Sequence, residues 1–533
     1  MIKQRIQKLL HKTERGQAII LIAFAIIGLV AMVGLVTDTG IVLIEYGKLK
    51  RGVDAAAISA AQQYRLNGSV LDQTALENAA LNFLQLNQST NVLSVEVHSC
   101  EDPDPADWPD LCNPDPVGAP NDNRKLVEVT ASKAVDLGFL RVIGLQSTTV
   151  SASSIGEAAT IDLVMIIDTS SSMAYQTDTS VGASDTQPDS GDDPSVCNLT
   201  NTCQPLKAVK DVALDFLDTL YFPYDRVAII TMTSQNPGGD RTRVEWLPLT
   251  SDKATVEAAI NSIKVFEPRT CDGTDTDGLC LQYLGCTTDD GDGICESGEG
   301  GTFNRDICQI YENHSSEATA NPSSCPSSNV GGVLNLARSS FTPNPATTRL
   351  DAFWVVVALL GGPANATDVD VAGGYPNGYC PQSTWLLAYG QGPWCRDRYP
   401  SVRHFDTDPL VSYTNPQDGT VSTISLYDAD DYAREMADDL ATLTTGDGVT
   451  IFTIGLGAQV QSTSTVAAGE EPAAEALLKY IAECAGENSP DDCATPVSDP
   501  VINHGQYFYT PTNVGLADIF DEIAKNIATK ISQ

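Results

Sequence analysis

Hydrophobic and polar positions fall into three regimes along this chain. From Ala18 to Val36 the run AIILIAFAIIGLVAMVGLV carries no charge. At about 1.5 Å per residue it is long enough to cross the hydrocarbon layer as one helix. Tyr46–Tyr64 (YGKLKRGVDAAAISAAQQY), rich in Ala and basic residues and free of Pro, predicts that this helix continues outward. Alternation then takes over. VLSVEVHS (Val92–Ser99) and KLVEVTA (Lys125–Ala131) predict half-buried strands on either side of a Pro- and Asp-rich stretch, Glu101–Asn123. The result is a small α+β unit with an excursion.

The third regime opens at Ile161, where IDLVMIIDTSSSM runs an apolar strand directly into a polar turn. Helical periodicity follows at Leu206–Leu220, strand character at Arg226–Thr233 and helical character again at Lys253–Val265. Ala352–Leu360 (AFWVVVALL) and Val449–Gly455 (VTIFTIG) read as further strands, with Tyr432–Leu443 helical before the latter. Such alternation predicts an α/β fold, a doubly wound and mostly parallel sheet with helices on both faces. An N-terminal transmembrane helix and the small α+β region precede it. In such folds ligands sit beyond the carboxyl ends of strands, which puts Asp168–Ser172 where a site is expected.

Charge and cysteine add a topology. Lys3, Arg5, Lys8, Lys12 and Arg15 precede the apolar run with only Glu14 opposing them, so the positive-inside rule predicts a cytoplasmic N-terminus and an extracytoplasmic bulk. A secretory signal peptide is the rival, but its apolar core is normally shorter and ends in a small-residue cleavage site. All 14 cysteines lie between Cys100 and Cys493, an even number that fits disulfides in an oxidising compartment. Local candidates are Cys100 with Cys112, Cys197 with Cys203, Cys380 with Cys395, and Cys484 with Cys493. Zinc is disfavoured by the lack of any C-x-x-C pair and by only 5 histidines. The expected organisation is a basic tail over 1–16, a membrane helix over 17–40, a helical and α+β region over 41–160, and the doubly wound domain over 161–533. The formal charge of −38 over 533 residues argues against general nucleic-acid binding, because phosphates would be repelled.

The chemistry concentrates in Asp168-Thr169-Ser170-Ser171-Ser172, a D-x-S-x-S turn. One carboxylate and two hydroxyls at alternate positions offer the hard oxygen ligands that Mg²⁺, Mn²⁺ or Ca²⁺ takes. A Ser-rich turn that only caps the next helix is the plainer alternative. The insertion Thr270–Ser327 holds six cysteines and a second oxygen-rich loop. In Thr288–Glu299, the residues Thr288, Asp290, Asp292, Glu296 and Glu299 have the spacing of a Ca²⁺ loop, with Gly293 for its sharp turn. A flexible acidic loop braced by disulfides is the alternative there.

Two family resemblances rest on these residues. The first 160 or so positions resemble TadE/TadG-like pilus-assembly proteins, through Gly16 before the apolar helix, Asp38 just after it, VDAAAISAA at Val53–Ala61 and the stretch Val135–Ala158. That resemblance implies association with a pilus system. From Ile161 onward the chain resembles von Willebrand factor A domains, whose first metal-binding loop has the D-x-S-x-S form. The resemblance implies a metal-ion-dependent adhesion site holding Asp168, Ser170 and Ser172. It adds a hydroxyl from the loop SSNVGGVLNLAR, where Ser328 stands in place of the usual Thr, with Thr302 as a weaker alternative. It also implies an Asp after the middle strand, but LLGGPAN at Leu359–Asn365 places Gly362 there; Asp351, Asp368 and Asp370 are the carboxylates available to compensate. The run Gly505–Ile531 resembles the family's last strand and helix, and the insertions Thr270–Ser327 and Ala364–Thr423 account for its unusual length.

The expected function is a membrane-anchored surface protein of pilus assembly or adhesion. Its protein partner, a pilus component or surface ligand, would supply an acidic side chain to the metal. The alternative is a structural assembly component with a degenerate metal site. An enzyme is not expected, since no G-x-S-x-G or H-E-x-x-H motif occurs.

Overall fold

The computed structural model describes residues 2–64, 66–67, 70–86, 92–102, 104, 108–109, 112, 125–174, 176–177, 194–222, 224–232, 243–266, 283–284, 302–303, 328–342, 348–350, 352–368, 399–414, 421–443, 448–463, 466–487 and 503–531. The chain forms two compact units, Met1–Ala159 and Thr160–Ile531.

In the first unit a single helix, α1 (Ile2–Ala61), continues without interruption from the basic tail through the apolar run and beyond it. Over Ala18–Ala61 it is long and apolar enough to cross a membrane. Its outer half is packed. Leu49, Val53, Ala56, Ala57 and Ala60 are buried beneath helix α2 (Gln73–Leu86) and an antiparallel sheet of β1 (Val92–Ser99), β2 (Lys125–Asp136) and β3 (Ser147–Ala158), in the order β1-β2-β3. The Ala-rich run is what lets the sheet approach so closely. At Gly156 on β3 even a Cβ would lie 2.2 Å from the Ala57 carbonyl oxygen, so that position requires glycine. Strand β2 alternates buried and half-buried positions, as a sheet with one covered face should, and it extends five residues past the predicted Ala131. Its partner β3 was not legible as a strand, because STTVSASSIGEA is mostly small and polar.

The second unit carries a six-stranded sheet of β4 (Ile161–Asp168), β5 (Arg226–Met232), β6 (Arg243–Thr250), β7 (Phe353–Leu360), β8 (Thr450–Leu456) and β9 (Tyr507–Thr510). The order is β9-β8-β7-β4-β5-β6, parallel throughout except for the edge strand β6. Both faces are covered, so the central strands read as unbroken apolar runs. Leu163, Met165, Ile167, Val355, Val357 and Ile454 face one side, with α3 (Leu206–Leu217), α4 (Lys253–Ser262) and α8 (Leu516–Ile531). Val164, Ile166, Val356, Ala358 and Ile451 face the other, with α5 (Val330–Phe341), α6 (Ala429–Ala441) and α7 (Ala473–Glu483).

One helix boundary moved inward where the chain turns extended. The helix predicted to run to Val265 ends at Ser262, since Ile263 adopts φ −61° and ψ 138° and drops into the core with Val265. Strand β6 and helix α7 escaped the sequence reading. Pro248 in RVEWLPLT marks an edge, not a central strand.

At the amino ends of the strands, the buried Asp162 carboxylate accepts from Arg226 Nε at 2.8 Å and from the Arg349 guanidinium. Asp225 accepts from the Ile161 and Tyr221 backbone N–H groups at 2.9 and 2.8 Å.

Two of the expected disulfides are formed, Cys100–Cys112 and Cys197–Cys203. Cys484 is also disulfide-bonded, to a partner outside the described residues. Cys380, Cys395 and Cys493 lie outside the described residues, as does nearly all of the insertion 270–327, apart from a two-residue ladder pairing Tyr283–Leu284 with Thr302–Phe303. Within the second insertion, Val411–Thr414 pairs with Val421–Ile424 as an antiparallel hairpin.

Candidate metal centre

Strand β4 lies beside β7 on one side and β5 on the other, so the chain reverses its direction of sheet growth at this point. The crevice beyond the carboxyl ends of β4 and β7 is therefore the topological switch point of the sheet. Asp168 is the last residue of β4 and is fully buried. Its Oδ1 accepts from the Ser170 backbone N–H at 2.8 Å, and its Oδ2 accepts from the Gly361 backbone N–H, across the crevice, at 2.9 Å. Burial pushes the Asp168 carboxyl above the ordinary carboxylate range, and these two N–H groups work against that rise.

The turn after Asp168 is pinned from behind. Thr169 N–H donates to the Met232 carbonyl at the end of β5, and the Thr169 carbonyl accepts from Phe266 N–H at 2.7 Å. With Thr169 turned inward, Ser170 and Ser172 share the opposite side, their hydroxyls 2.9 Å apart. Gly361 faces them. A Cβ there would stand 3.2 Å from both Asp168 Oδ2 and Ser172 Oγ, so a side chain would fill the space the oxygens look into.

Two further loops meet at this end of the sheet. Ser328, nearly buried, precedes α5, and Asn329 caps that helix by accepting from Gly332 N–H at 2.8 Å. The loop after β7 ties itself to Ser328: Asn365 Oδ1 accepts from Ser328 N–H at 2.6 Å, and Asn365 N–H donates to the Ser328 carbonyl at 3.1 Å. Asp368 closes the same loop, its oxygens accepting from Asn329 Nδ2 at 2.9 Å, Asn335 Nδ2 at 3.3 Å and Tyr432 OH at 2.7 Å.

Asp168, Ser170 and Ser172 lie together at this turn, while Ser328 is tied by its backbone to Asn365, in the loop that follows Gly361. Gly362 follows Gly361 where the resemblance expects a carboxylate. Of the three acids named to compensate, Asp368 sits in this loop bound to α5 and α6, while Asp351 and Asp370 lie outside the described residues. Thr302 pairs with Leu284 in the short ladder. Thr288, Asp290, Asp292, Glu296 and Glu299 lie outside the described residues. Among the described residues no group of three or more His, Cys, Asp or Glu could hold a metal. The donor set is one carboxylate with hydroxyls, which fits a small hard cation and not a soft one. The Asn329–Asn365–Asp368 network had no sequence signal beyond SSN and NATD, two Asn-bearing turns of an ordinary kind.

The strand order, the antiparallel edge and the acidic, hydroxyl-rich turn at the switch point define a doubly wound α/β module of the kind that the von Willebrand A resemblance implies. No protein-family model and no curated protein matches the chain. Solved structures do match, at low similarity. The pilus adhesin SpaC of Lactobacillus rhamnosus GG has a TM-score of 0.33 and 13% identity, over 76% of this chain and 33% of that one. The vWF domain of the type V pili tip protein Mfa5 of Porphyromonas gingivalis has a TM-score of 0.33 and 16% identity, over 70% and 97%. Proximal thread matrix protein 1 from the mussel byssus, with a zinc-occupied MIDAS motif, has a TM-score of 0.29 and 13% identity, over 70% and 46%. This chain thus spans about a third of the SpaC structure. Likeness at this level adds nothing to the strand order and geometry above.

Proposed function

We propose that this chain is a membrane-anchored surface protein that binds a protein partner through a divalent cation, Mg²⁺ or Mn²⁺ with Ca²⁺ as the alternative, held by Asp168, Ser170, Ser172 and Ser328. The observation that carries the reading is the Asp168 turn itself. A fully buried carboxylate there has no basic side chain among its hydrogen-bond partners described above, yet it lies beside two hydroxyls and against a glycine that puts no side chain over it. Burying such a charge is costly unless something compensates it. A bound cation would supply that compensation and an open coordination position for a partner's acidic side chain. Residues of this chain hold and orient: the backbone of Ser170 and Gly361 fixes both carboxylate oxygens, and Thr169 anchors the turn to β5. The protein is read as a binding module, not an enzyme. The apolar stretch of α1 is its membrane anchor, and the resemblance of the first 160 residues to TadE/TadG-like proteins makes a pilus component the favoured partner.

Calorimetric titration of Mg²⁺, Mn²⁺ and Ca²⁺ into the full chain, wild type beside Asp168→Asn, tests this reading. Binding lost in the variant supports it. Absence of any Asp168-dependent binding leaves the second reading, a structural assembly component, which Gly362 in place of the family's carboxylate favours.

A further inference from the structure

On the membrane-facing half of α1, every described residue from Ala18 to Thr39 is exposed except Gly34 and Asp38. One segment covers both. Strands β2 and β3 run alongside the outer half of α1, and their connection turns back toward the apolar run. Asp38 accepts there from the backbone N–H groups of Gly138 at 2.9 Å, Phe139 at 3.0 Å and Leu140 at 2.7 Å. Gly34 lies one helical turn deeper, about 6 Å along the axis. A Cβ on Gly34 would come 2.7 Å from the Phe139 Cβ, so the connection reaches the level of the charge-free run itself. At its tip, around the turn Leu140–Ile143, Val142 is 88% exposed and Leu145 53%, and Phe139, which packs over Gly34, is still 48% exposed. Arg141 is exposed beside them, 3.8 Å from the exposed carboxylate of Asp136.

We propose that this tip, residues 139–145, is a second membrane contact, which enters the interfacial layer of the bilayer beside α1. The inference rests on the reading of α1 as a membrane span. Continuity argues for lipid as the occupant, because the tip is seated on the last turns of the apolar run and its exposed side chains extend the same apolar surface. A guanidinium among apolar side chains also suits the headgroup layer, where the stem lies in the apolar zone and the charge reaches the phosphates. Asp38 has a clear part in this arrangement. An acidic side chain at the edge of the hydrocarbon is tolerated when its oxygens are satisfied within the protein, and the same bonds that satisfy it hold the tip at that depth. Two points of attachment, one spanning and one interfacial, fix the direction in which the small α+β unit leaves the membrane.

The test places tryptophan at the tip. The full chain carrying Val142→Trp, Leu145→Trp or Ile58→Trp is reconstituted into phosphatidylcholine vesicles with or without bromine on the acyl chains near the headgroup. Wild-type emission, from the protein's 5 tryptophans, is subtracted. Ile58 is exposed on the same helix, about 30 Å beyond Asp38. The expected result is blue-shifted emission from the tip tryptophans and loss of most of it in brominated vesicles, with the Ile58→Trp signal unaffected. Vesicle-associated protein whose tip tryptophan is unquenched overturns the proposal, whether that emission is red (tip in water) or blue (tip covered by protein). Failure of the chain to float with vesicles overturns the membrane-span reading and the proposal together.

Discussion

Replacing Asp168 by Asn separates the metal-binding reading from a purely structural one, because the substitution keeps shape and removes charge. In the absence of metal, the carboxylate gains from the Ser170 and Gly361 N–H groups but bears the cost of burial. Asn retains one good acceptor and turns its amide NH₂ toward the other donor, losing about 1 kcal/mol of hydrogen bonding while removing the buried charge. These effects oppose each other, so with chelator present the two proteins should melt within a few degrees of one another. Cation changes that. A ligand at one hundred times its Kd stabilises the folded state by about 2.7 kcal/mol. Domains of 150–250 residues shift by roughly 2–4 °C per kcal/mol, and the unit Thr160–Ile531 is larger, so a rise of about 5 °C is expected in wild type and none in Asp168→Asn. Thermal unfolding followed by near-ultraviolet circular dichroism, with Mg²⁺ against chelator, reads both. An equal rise in both proteins would refute the reasoning and place the cation elsewhere.

Four further outcomes follow from the packing. Gly361→Val should remove cation binding in calorimetry while leaving far-ultraviolet circular dichroism unchanged, since its side chain would occupy the space before Asp168 and Ser172. Asp162→Ala should destabilise the second unit by about 3–5 kcal/mol in urea unfolding, because Arg226 and Arg349 lose the buried carboxylate they share. Lys210 is buried and donates to Asn201, Asn261 and Ile263 oxygens, and burial draws its ammonium down to about 8. Between that value and the ordinary 10.5 the unfolded chain binds the proton more tightly, so wild-type stability should gain with rising pH over this window relative to Lys210→Met. Equal pH profiles for the two proteins would contradict it. Gly156→Ala should loosen the sheet from α1 and cost about 1–3 kcal/mol, seen as faster amide exchange in β3, given the 2.2 Å approach to Ala57.

Much of this fold was legible because the central strands are covered on both faces: FWVVVALL and TIFTIGL can hardly be anything else at their lengths. Asp168 was legible for a related reason, since a strand of that kind ending in a carboxylate and spaced hydroxyls places them at the sheet's carboxyl edge. The two strands that escaped notice have weak local signals. Arg243–Thr250 is an edge strand with a proline and two register irregularities, and β3 is built of small polar residues that work by fitting against the alanines of a helix far away in sequence. The Gly361-Gly362 pair shows the limit most clearly. As sequence it reads as a missing carboxylate, yet Gly361 contributes an N–H to Asp168 and keeps a side chain off its oxygens, a role that depends on where β7 ends relative to β4. The Asn329, Asn365 and Asp368 network is likewise a product of two loops meeting, invisible to spacing within either of them.

Whether a cation sits at the Asp168 turn can be read from anomalous difference density in crystals of the chain grown in Mn²⁺. A peak coordinated by Asp168, Ser170 and Ser172 that disappears in Asp168→Asn is the expected result; density elsewhere on the protein with none at this turn would contradict a cation there.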